Sequence, residues 1–124
     1  MTRNPQTDAN PQLPERSNTQ ATIQIDVTVS SSRSAIVDVA GEVDLETAPE
    51  LRAALAAVSD SGVCVIDMNF TSTAFMDSTG LAVLIAALRR CQHRGGRLRV
   101  VEASPAVARL LHATRLSRIF AFDA

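Results

Sequence analysis

The amino-acid sequence is poor in aromatic residues, with four Phe and neither Trp nor Tyr. Few rings are therefore available for stacking nucleic-acid bases or for building an aromatic cage around a cation. The 12 basic and 13 acidic residues nearly balance, which gives a formal net charge of -1. We therefore expect neither direct binding to nucleic acid nor binding to a membrane surface as the main role.

Cysteines and long apolar runs are scarce as well. Cys64 and Cys91 are the two cysteines and lack a CxxC spacing, so neither a disulfide framework nor a zinc site is predicted. No apolar run approaches the roughly 20 residues of a membrane span. The first 20 residues lack the hydrophobic region of a secretion signal. We expect a cytoplasmic protein, with no cofactor or metal indicated.

The length of 124 residues and the hydrophobic fraction of 46% fit one globular domain. Residues 1–20 are polar, contain three prolines and show no periodicity, so we predict a disordered N-terminal tail. The folded domain is expected to cover residues 21–124.

Hydrophobic patterning and helix-capping signals predict an α/β domain of order ββαβαβαβ, with a central mixed sheet. The first two strands form a hairpin, the second ends at Gly41, and the third is covered on both faces. Thr47 and Glu50 have the spacing of a capping box for the first helix. The predicted strands cover 23–29, 35–40, 63–68, 98–101 and 119–122, and the helices about 47–60, 78–93 and 104–113.

The most informative motif is Phe75-Met76-Asp77-Ser78-Thr79-Gly80-Leu81, in which a hydroxyl residue opens a helix after a strand and loop. Backbone N–H groups without partners and the positive helix dipole favour a phosphate at that end. A phosphate on Ser78 would change the surface charge by about -1.5 to -2 and leave the fold intact. The simpler interpretation is that Ser78 is the N-cap of the helix.

This motif resembles the signature of the STAS-domain anti-sigma factor antagonists. The resemblance extends in order from Ile23 to Phe122. It includes three further motifs, Gly41-Glu42-Val43-Asp44, Gly95-Gly96-Arg97-Leu98 and Ser104-Pro105-Ala106-Val107.

The resemblance implies a partner-switching function. Members of this family bind an anti-sigma factor that is also a serine kinase, and so release a sigma factor. The kinase phosphorylates the Ser that follows the motif's Asp, here Ser78, with Thr79 as second choice, and a phosphatase restores the active form. The implied partner-binding residues are Asp44, Asp77, Ser78, Thr79, Gly80, Ala82 and Val83.

Plainer roles stay open for several of these residues. Asp44 could simply form a turn, Asp77 could serve turn and cap chemistry, and Ala82 and Val83 could belong to the core.

The sequence departs from the family pattern in three places. The segment between Asp67 and Asp77 is slightly long, and Arg115 stands where a helix-ending Gly is common. The sequence stops at Ala124, where relatives usually carry one more helix. The missing helix would expose apolar surface, invite self-association, or indicate a truncated chain. We expect a monomer or weak self-association.

Three other functions are weaker candidates. Catalysis by Ser78 is not expected, because Met76 replaces the first Gly of a G-x-S-x-G elbow and the sequence pattern does not indicate a carboxylate that would orient His93 or His112 as a base. A scaffold role in a sensory complex, without kinase control, is the main alternative. Redox control through Cys64 and Cys91 is not expected, because Cys64 lies in a predicted buried strand and a buried Cys is normally inert.

Overall fold

The computed structural model describes residues 23–123, and the predicted tail lies outside them. Within this range the chain forms a mixed sheet and three helices, which confirms the predicted α/β class. The elements are β1 (Ile23–Val29), β2 (Ser34–Val43), α1 (Ala48–Asp60), β3 (Val65–Phe70), β4 (Thr73–Met76), α2 (Ser78–His93), β5 (Arg97–Ala103) and α3 (Pro105–Ala113).

The sheet has the strand order β1-β2-β3-β5, and β4 pairs with β2. The predicted hairpin is confirmed, since β1 and β2 are antiparallel. All other pairs are parallel. Strand β2 pairs first with β3 and then, beyond Asp38, with β4. The carboxyl ends of β2 and β4 therefore lie side by side, with Val43 opposite Met76.

The hydrophobic core lies on one face of the sheet. Alternate side chains of the inner strands, such as Val37, Met68 and Leu98, are at most 2% exposed. Together with Leu51 and Leu55 of α1, they belong to one continuous cluster of buried residues, to which α2 also contributes. The two helices contact each other, and α2 also packs against β5. This packing fixes where the first turn of α2 lies against the strands.

On the opposite face of the sheet, β3 is only half-buried by the described residues 23–123, so the prediction that the third strand is covered on both faces is wrong. Ile66, Met68 and Phe70 are buried, while the residues between them are half-buried. Asp67 and Arg99 pair there, with Arg99 Nε donating to Asp67 Oδ1 at 2.7 Å. The strand begins and ends two residues later than the predicted segment 63–68, and from Ile66 onward its sequence alternates apolar and polar residues as a half-buried strand does.

Strand β2 does not end at Gly41 as predicted. It continues to Val43, and its register against β4 shifts between Gly41 and Glu42. Gly41 has a φ of 101°, in the left-handed region that glycine adopts readily. The glycine therefore marks an irregularity within the strand and not its end.

The element order also differs from the prediction at two points. Strand β4 was not predicted and occupies the segment between Asp67 and Asp77 that is long for the family. The strand predicted over 119–122 is instead a series of turns, in which Ala121 has a φ of 52°. Phe120 still accepts a hydrogen bond from Val100 N at 2.8 Å, so this segment covers the edge of β5.

The boundaries of α2 and α3 match the prediction closely. Helix α2 begins at Ser78 and ends at His93. Ser104 is the N-cap of α3, where its hydroxyl accepts a hydrogen bond from Val107 N at 3.3 Å. None of the helices over residues 23–123 has both the length and the apolar character needed to cross a membrane.

Candidate functional site

The candidate site lies where β2 and β4 end. Asp77 N donates to the carbonyl oxygen of Val43 at 3.1 Å, directly after the paired residues Val43 and Met76. The loop that follows β2 and the first turn of α2 therefore start from adjacent positions. Asp44 and Ser78, which are 34 positions apart in the sequence, are thereby brought to the same edge of the sheet.

Asp77 is the N-cap of α2, so the interpretation of Ser78 as the N-cap is wrong. The Asp77 backbone is extended, and its Oδ1 accepts from Thr79 N at 2.9 Å and from Gly80 N at 3.4 Å. The Thr79 hydroxyl donates to the same oxygen. This hydroxyl bond is the largest of the effects that lower the pKa of Asp77, and burial opposes it. The carboxylate thus remains charged at neutral pH and satisfies two backbone N–H groups of the first turn.

Ser78 is the first residue of the helix, and its side chain is exposed. No hydrogen bond joins its hydroxyl to any of residues 23–123. A modifying enzyme would therefore meet a free hydroxyl at the positive end of a helix of 16 residues. The geometry is compatible with the predicted phosphorylation, which stays a prediction.

Thr79 differs from Ser78 although the two hydroxyls are neighbours. Thr79 is half-buried, and its hydroxyl is engaged by the Asp77 carboxylate. Modification of Thr79 would require that bond to break and the cap to rearrange. The arrangement thus favours Ser78 over Thr79 as the acceptor.

Gly80 allows the helix to approach the strands closely. A Cβ atom at this position would lie 2.8 Å from both Val43 Cγ1 and Met76 Cγ. Real Cβ contacts are essentially never that short. Gly80 is buried, so the motif's glycine has a packing role, and its surface is not available to a partner in this conformation.

Asp44 builds the turn that follows β2. Its Oδ1 accepts from Glu46 N at 3.0 Å and from Thr47 N at 3.1 Å. The turn-forming role that the sequence left open for Asp44 is therefore present. Because its side chain is half-buried, part of it can also reach a partner.

The capping box predicted for Thr47 and Glu50 is not formed. Thr47 occupies the N-cap position of α1, but its side chain makes no cap hydrogen bond. Its hydroxyl instead donates to Glu42 O at 2.7 Å and accepts from Asp44 N at 3.0 Å. The hydroxyl therefore links the turn to β2 and does not cap the helix.

The two helix residues predicted to complete the contact differ in exposure. Ala82 is exposed, whereas Val83 is only 3% exposed and belongs to the core. Val83 therefore has the core role that the sequence left open, and of these two residues only Ala82 is accessible to a partner.

Two exposed apolar residues at this edge were not predicted from the sequence. Leu45 is 74% exposed, the largest value among the exposed large hydrophobic residues of the described chain, and Phe75 is 47% exposed. Leu45 follows Asp44 directly, and Phe75 pairs with Glu42 across β4 and β2. The available signal was a large apolar residue between two acids, Asp44 and Glu46, in a loop.

The end of β2 and the turn that follows it are acidic. The sequence has no Lys or Arg between Arg33 and Arg52, and this interval contains five acidic residues. Asp44 and Glu46 lie in the turn, Glu42 lies just before it in β2, and Asp77 at the adjacent strand end adds another carboxylate. A phosphate on Ser78 would therefore join an already acidic surface. Across residues 23–123, no group of three or more His, Cys, Asp or Glu side chains could hold a metal ion.

Comparison with known proteins identifies the family. The sequence model of the STAS domain matches residues 23–124, so the chain belongs to the STAS domain family. The curated relatives are anti-sigma factor antagonists. The chain is 32% identical over 107 residues to the anti-sigma-B factor antagonist of Bacillus subtilis, covering 82% of this chain and 94% of the relative. It is 36% identical over 81 residues to that of Listeria monocytogenes, covering 65% and 71%.

Solved structures agree with this assignment. The chain is similar to an anti-sigma factor antagonist from Mycobacterium paratuberculosis, with 30% identity, a TM-score of 0.72, and coverage of 81% of this chain and 84% of that one. It also resembles unphosphorylated SpoIIAA at 23% identity and a TM-score of 0.69, with coverage of 77% and 84%. At that identity, the likeness to SpoIIAA shows the fold alone.

Proposed function

We propose that this chain antagonises an anti-sigma factor that is also a serine kinase, and that phosphorylation of Ser78 ends the interaction. The observation that carries the proposal is the Ser78 hydroxyl, which is exposed on the first turn of α2 and makes no hydrogen bond to any of the described residues 23–123. The anti-sigma factor antagonists among its relatives support the kind of partner. The partner-binding residues are then Asp44, Asp77, Ser78, Thr79 and Ala82.

The first turn of α2 can accept a phosphate without losing its cap. The Asp77 carboxylate already binds the N–H groups of Thr79 and Gly80, so the cap does not depend on the Ser78 hydroxyl. A phosphate there would add about -1.5 to -2 charges beside Asp77 and the acidic turn. Its effect falls on the surface and not on the core.

Release follows from that surface change. A partner packed against Ser78 would have to exclude the water around a phosphate, and burying an unpaired charge is costly. Each 1.4 kcal/mol lost weakens the complex tenfold, so a useful switch needs about two such steps. In the proposed cycle, a phosphatase then restores the binding form.

The rest of the proposal follows the relatives. An antagonist of anti-sigma factors acts through a protein partner in the cytoplasm, without contacting nucleic acid or a membrane itself. We assign it no catalytic residue.

The direct test is the affinity of a purified anti-sigma kinase from the same cell for three forms of the chain, measured by isothermal titration calorimetry. Ser78→Ala should bind as tightly as wild type and keep binding in the presence of ATP. Ser78→Glu should bind more weakly, although a single carboxylate mimics phosphate incompletely.

Two results would contradict the proposal. If wild type, Ser78→Glu and the phosphorylated protein bind the kinase equally, Ser78 is not the switch. If no anti-sigma kinase binds any form, a scaffold role in a sensory complex becomes the better explanation.

A further inference from the structure

Leu45 is the most exposed large hydrophobic residue in the described part of the chain. It is 74% exposed, whereas Leu51 and Leu55 of the following helix are fully buried. A single exposed leucine is common on protein surfaces and needs no explanation by itself. Its immediate surroundings are what indicate a function.

The turn that carries Leu45 is held by hydrogen bonds on both sides of it. Asp44 Oδ1 accepts from the N–H groups of Glu46 and Thr47, and the Thr47 hydroxyl donates to Glu42 O at 2.7 Å. The N–H of Asp44 donates back to the Thr47 hydroxyl at 3.0 Å. The backbone at Leu45 is therefore fixed before any partner arrives, and binding loses little entropy in ordering it.

Leu45 also lies next to the surface used in the proposed function. Val43 and Met76 pair with each other, and Leu45 follows Val43 by two positions just as Ser78 follows Met76. Phe75, 47% exposed, adds a second apolar side chain beside Glu42. The apolar residues and the Ser78 hydroxyl are thus carried by adjacent strand ends.

The charge around Leu45 limits what can cover it. Glu42, Asp44 and Glu46 flank it, and the sequence has no Lys or Arg from position 34 to position 51. A second copy that presented the same edge would place these acids against one another. A protein with an apolar pocket and basic residues at its rim is complementary in both shape and charge.

We propose that Leu45 is an apolar anchor that inserts into a basic-rimmed pocket on the anti-sigma partner. This inference rests on the proposed function and adds the residue and the kind of pocket that would supply the affinity. Interfaces typically depend on a few buried anchors surrounded by weaker contacts. A phosphate on Ser78 would keep water beside Leu45 and so prevent its burial.

The test compares Leu45→Ala with wild type in binding the purified anti-sigma kinase that wild type captures. We expect roughly 10- to 50-fold weaker binding, the range of an interface anchor. Leu45→Met should stay within about threefold of wild type because it keeps an apolar side chain of similar size. Val29→Ala is the matched control, since Val29 is 62% exposed but lies at the other end of the sheet, and it should bind as wild type.

Salt separates the anchor from the charged rim. The loss in Leu45→Ala should persist at about 0.5 M salt, because burial of apolar surface is not screened. A loss in Glu46→Gln should shrink over the same range. The unfolding midpoint of Leu45→Ala should stay within about 2 °C of wild type, since an exposed side chain contributes little to the fold.

The outcomes distinguish this inference from the proposed function. If wild type binds the kinase and Leu45→Ala binds equally well, the anchor is wrong and the antagonist function stands. If Leu45→Ala instead abolishes self-association of the chain without changing kinase binding, the occupant is a second copy and the inference is overturned. If wild type binds no anti-sigma kinase, both the antagonist function and the Leu45 anchor are wrong.

Discussion

At the scale of single residues, adjacent side chains of the signature motif have separate tasks. Asp77 holds the first turn of α2 through its carboxylate, and Thr79 hydrogen-bonds to that carboxylate. Ser78 takes no part in this network. The residue proposed for modification can therefore change without disturbing the residues that keep the turn in place.

The first prediction concerns the Asp77 cap. Asp77→Ala should lower the free energy of unfolding by about 1 to 2 kcal/mol at neutral pH, because it removes the N-cap. Asp77→Asn should lose much less, because Asn caps nearly as well as Asp. Urea denaturation of the three proteins at pH 7 measures both differences.

The pH dependence of the same variants is a second prediction. The folded state lowers the pKa of Asp77 below its ordinary value of 3.8, so the charged form stabilises the fold. This contribution is complete above pH 3.8 and is lost as the pH falls through the lowered value. The stability difference between wild type and Asp77→Asn should be constant from about pH 5 to 8 and shrink on acidification. A difference that grows below pH 4 would contradict this role.

At the scale of elements, the helix ends use two different solutions. Helix α2 begins with a charged cap, whereas α3 ends in a Schellman motif. Leu116 N donates to Leu111 O at 2.9 Å, and Arg115 N donates to His112 O at 3.1 Å. This motif places Arg115 at a φ of 61°, in the left-handed region that favours glycine. Arg115, where the sequence departs from the family pattern, therefore occupies the position of this motif at which glycine is usual.

Arg115→Gly should consequently stabilise the domain. A non-glycine residue in the left-handed region costs about 1 kcal/mol, part of which is offset by the greater freedom of glycine in the unfolded chain. We expect a gain of about 0.5 kcal/mol, measured as a higher unfolding midpoint. Arg115→Ala removes the same side chain but keeps the strain, so it should give no gain. Equal stabilisation by both variants would assign the effect to the charge.

Gly80→Ala should lower the free energy of unfolding, although the same change in a helix normally raises it. Replacing a helical Gly by Ala normally stabilises a helix by about 1 kcal/mol. Here the new Cβ would meet Val43 Cγ1 and Met76 Cγ at 2.8 Å, so we expect a loss of about 1 to 3 kcal/mol. Ala86→Gly, at an exposed position of the same helix, is the control. It should lower the free energy of unfolding by about 1 kcal/mol, the usual difference between Ala and Gly in a helix. A stabilised Gly80→Ala protein would refute the close packing.

The sequence predicted those elements whose ends carry strong local signals. Helix α2 and the hairpin agree with the structure because Gly95-Gly96 marks the end of the helix and apolar–polar alternation marks the first strand. Strand β4 was missed because TAFM is four residues long and does not alternate clearly. The prediction of a last strand was wrong because Phe120 and Phe122 lie in a segment of turns, where both are buried. Their spacing of two residues is the same as in a half-buried strand, so the sequence could not distinguish the two structures.

The candidate site divides in the same way. Ser78 and Asp44 came from the family resemblance, and the pairing of β2 with β4 explains why they belong together. The burial of Val83 could not be read from the sequence because α2 is apolar on more than one side. Leu45 was missed because no local pattern says whether a loop leucine is covered.

At the scale of the whole molecule, the residues that stabilise the fold are separate from the proposed switch. The core cluster lies between the helices and one face of the sheet, while Ser78 and the acidic turn lie at the ends of the strands. Phosphorylation should therefore leave the circular dichroism spectrum unchanged and shift the unfolding midpoint by only a few degrees. Loss of the folded spectrum on phosphorylation would mean that the modification acts by unfolding.

The most direct test of the central claim is phosphate mapping. The chain is incubated with ATP and the anti-sigma kinases of its own cell, and its phosphopeptides are identified by mass spectrometry. We expect phosphate on Ser78, lost in Ser78→Ala and retained in Thr79→Val, together with release of the phosphorylated chain from the kinase. Phosphate on Thr79 alone, or a phosphorylated Ser78 form that stays bound with unchanged affinity, would contradict the account.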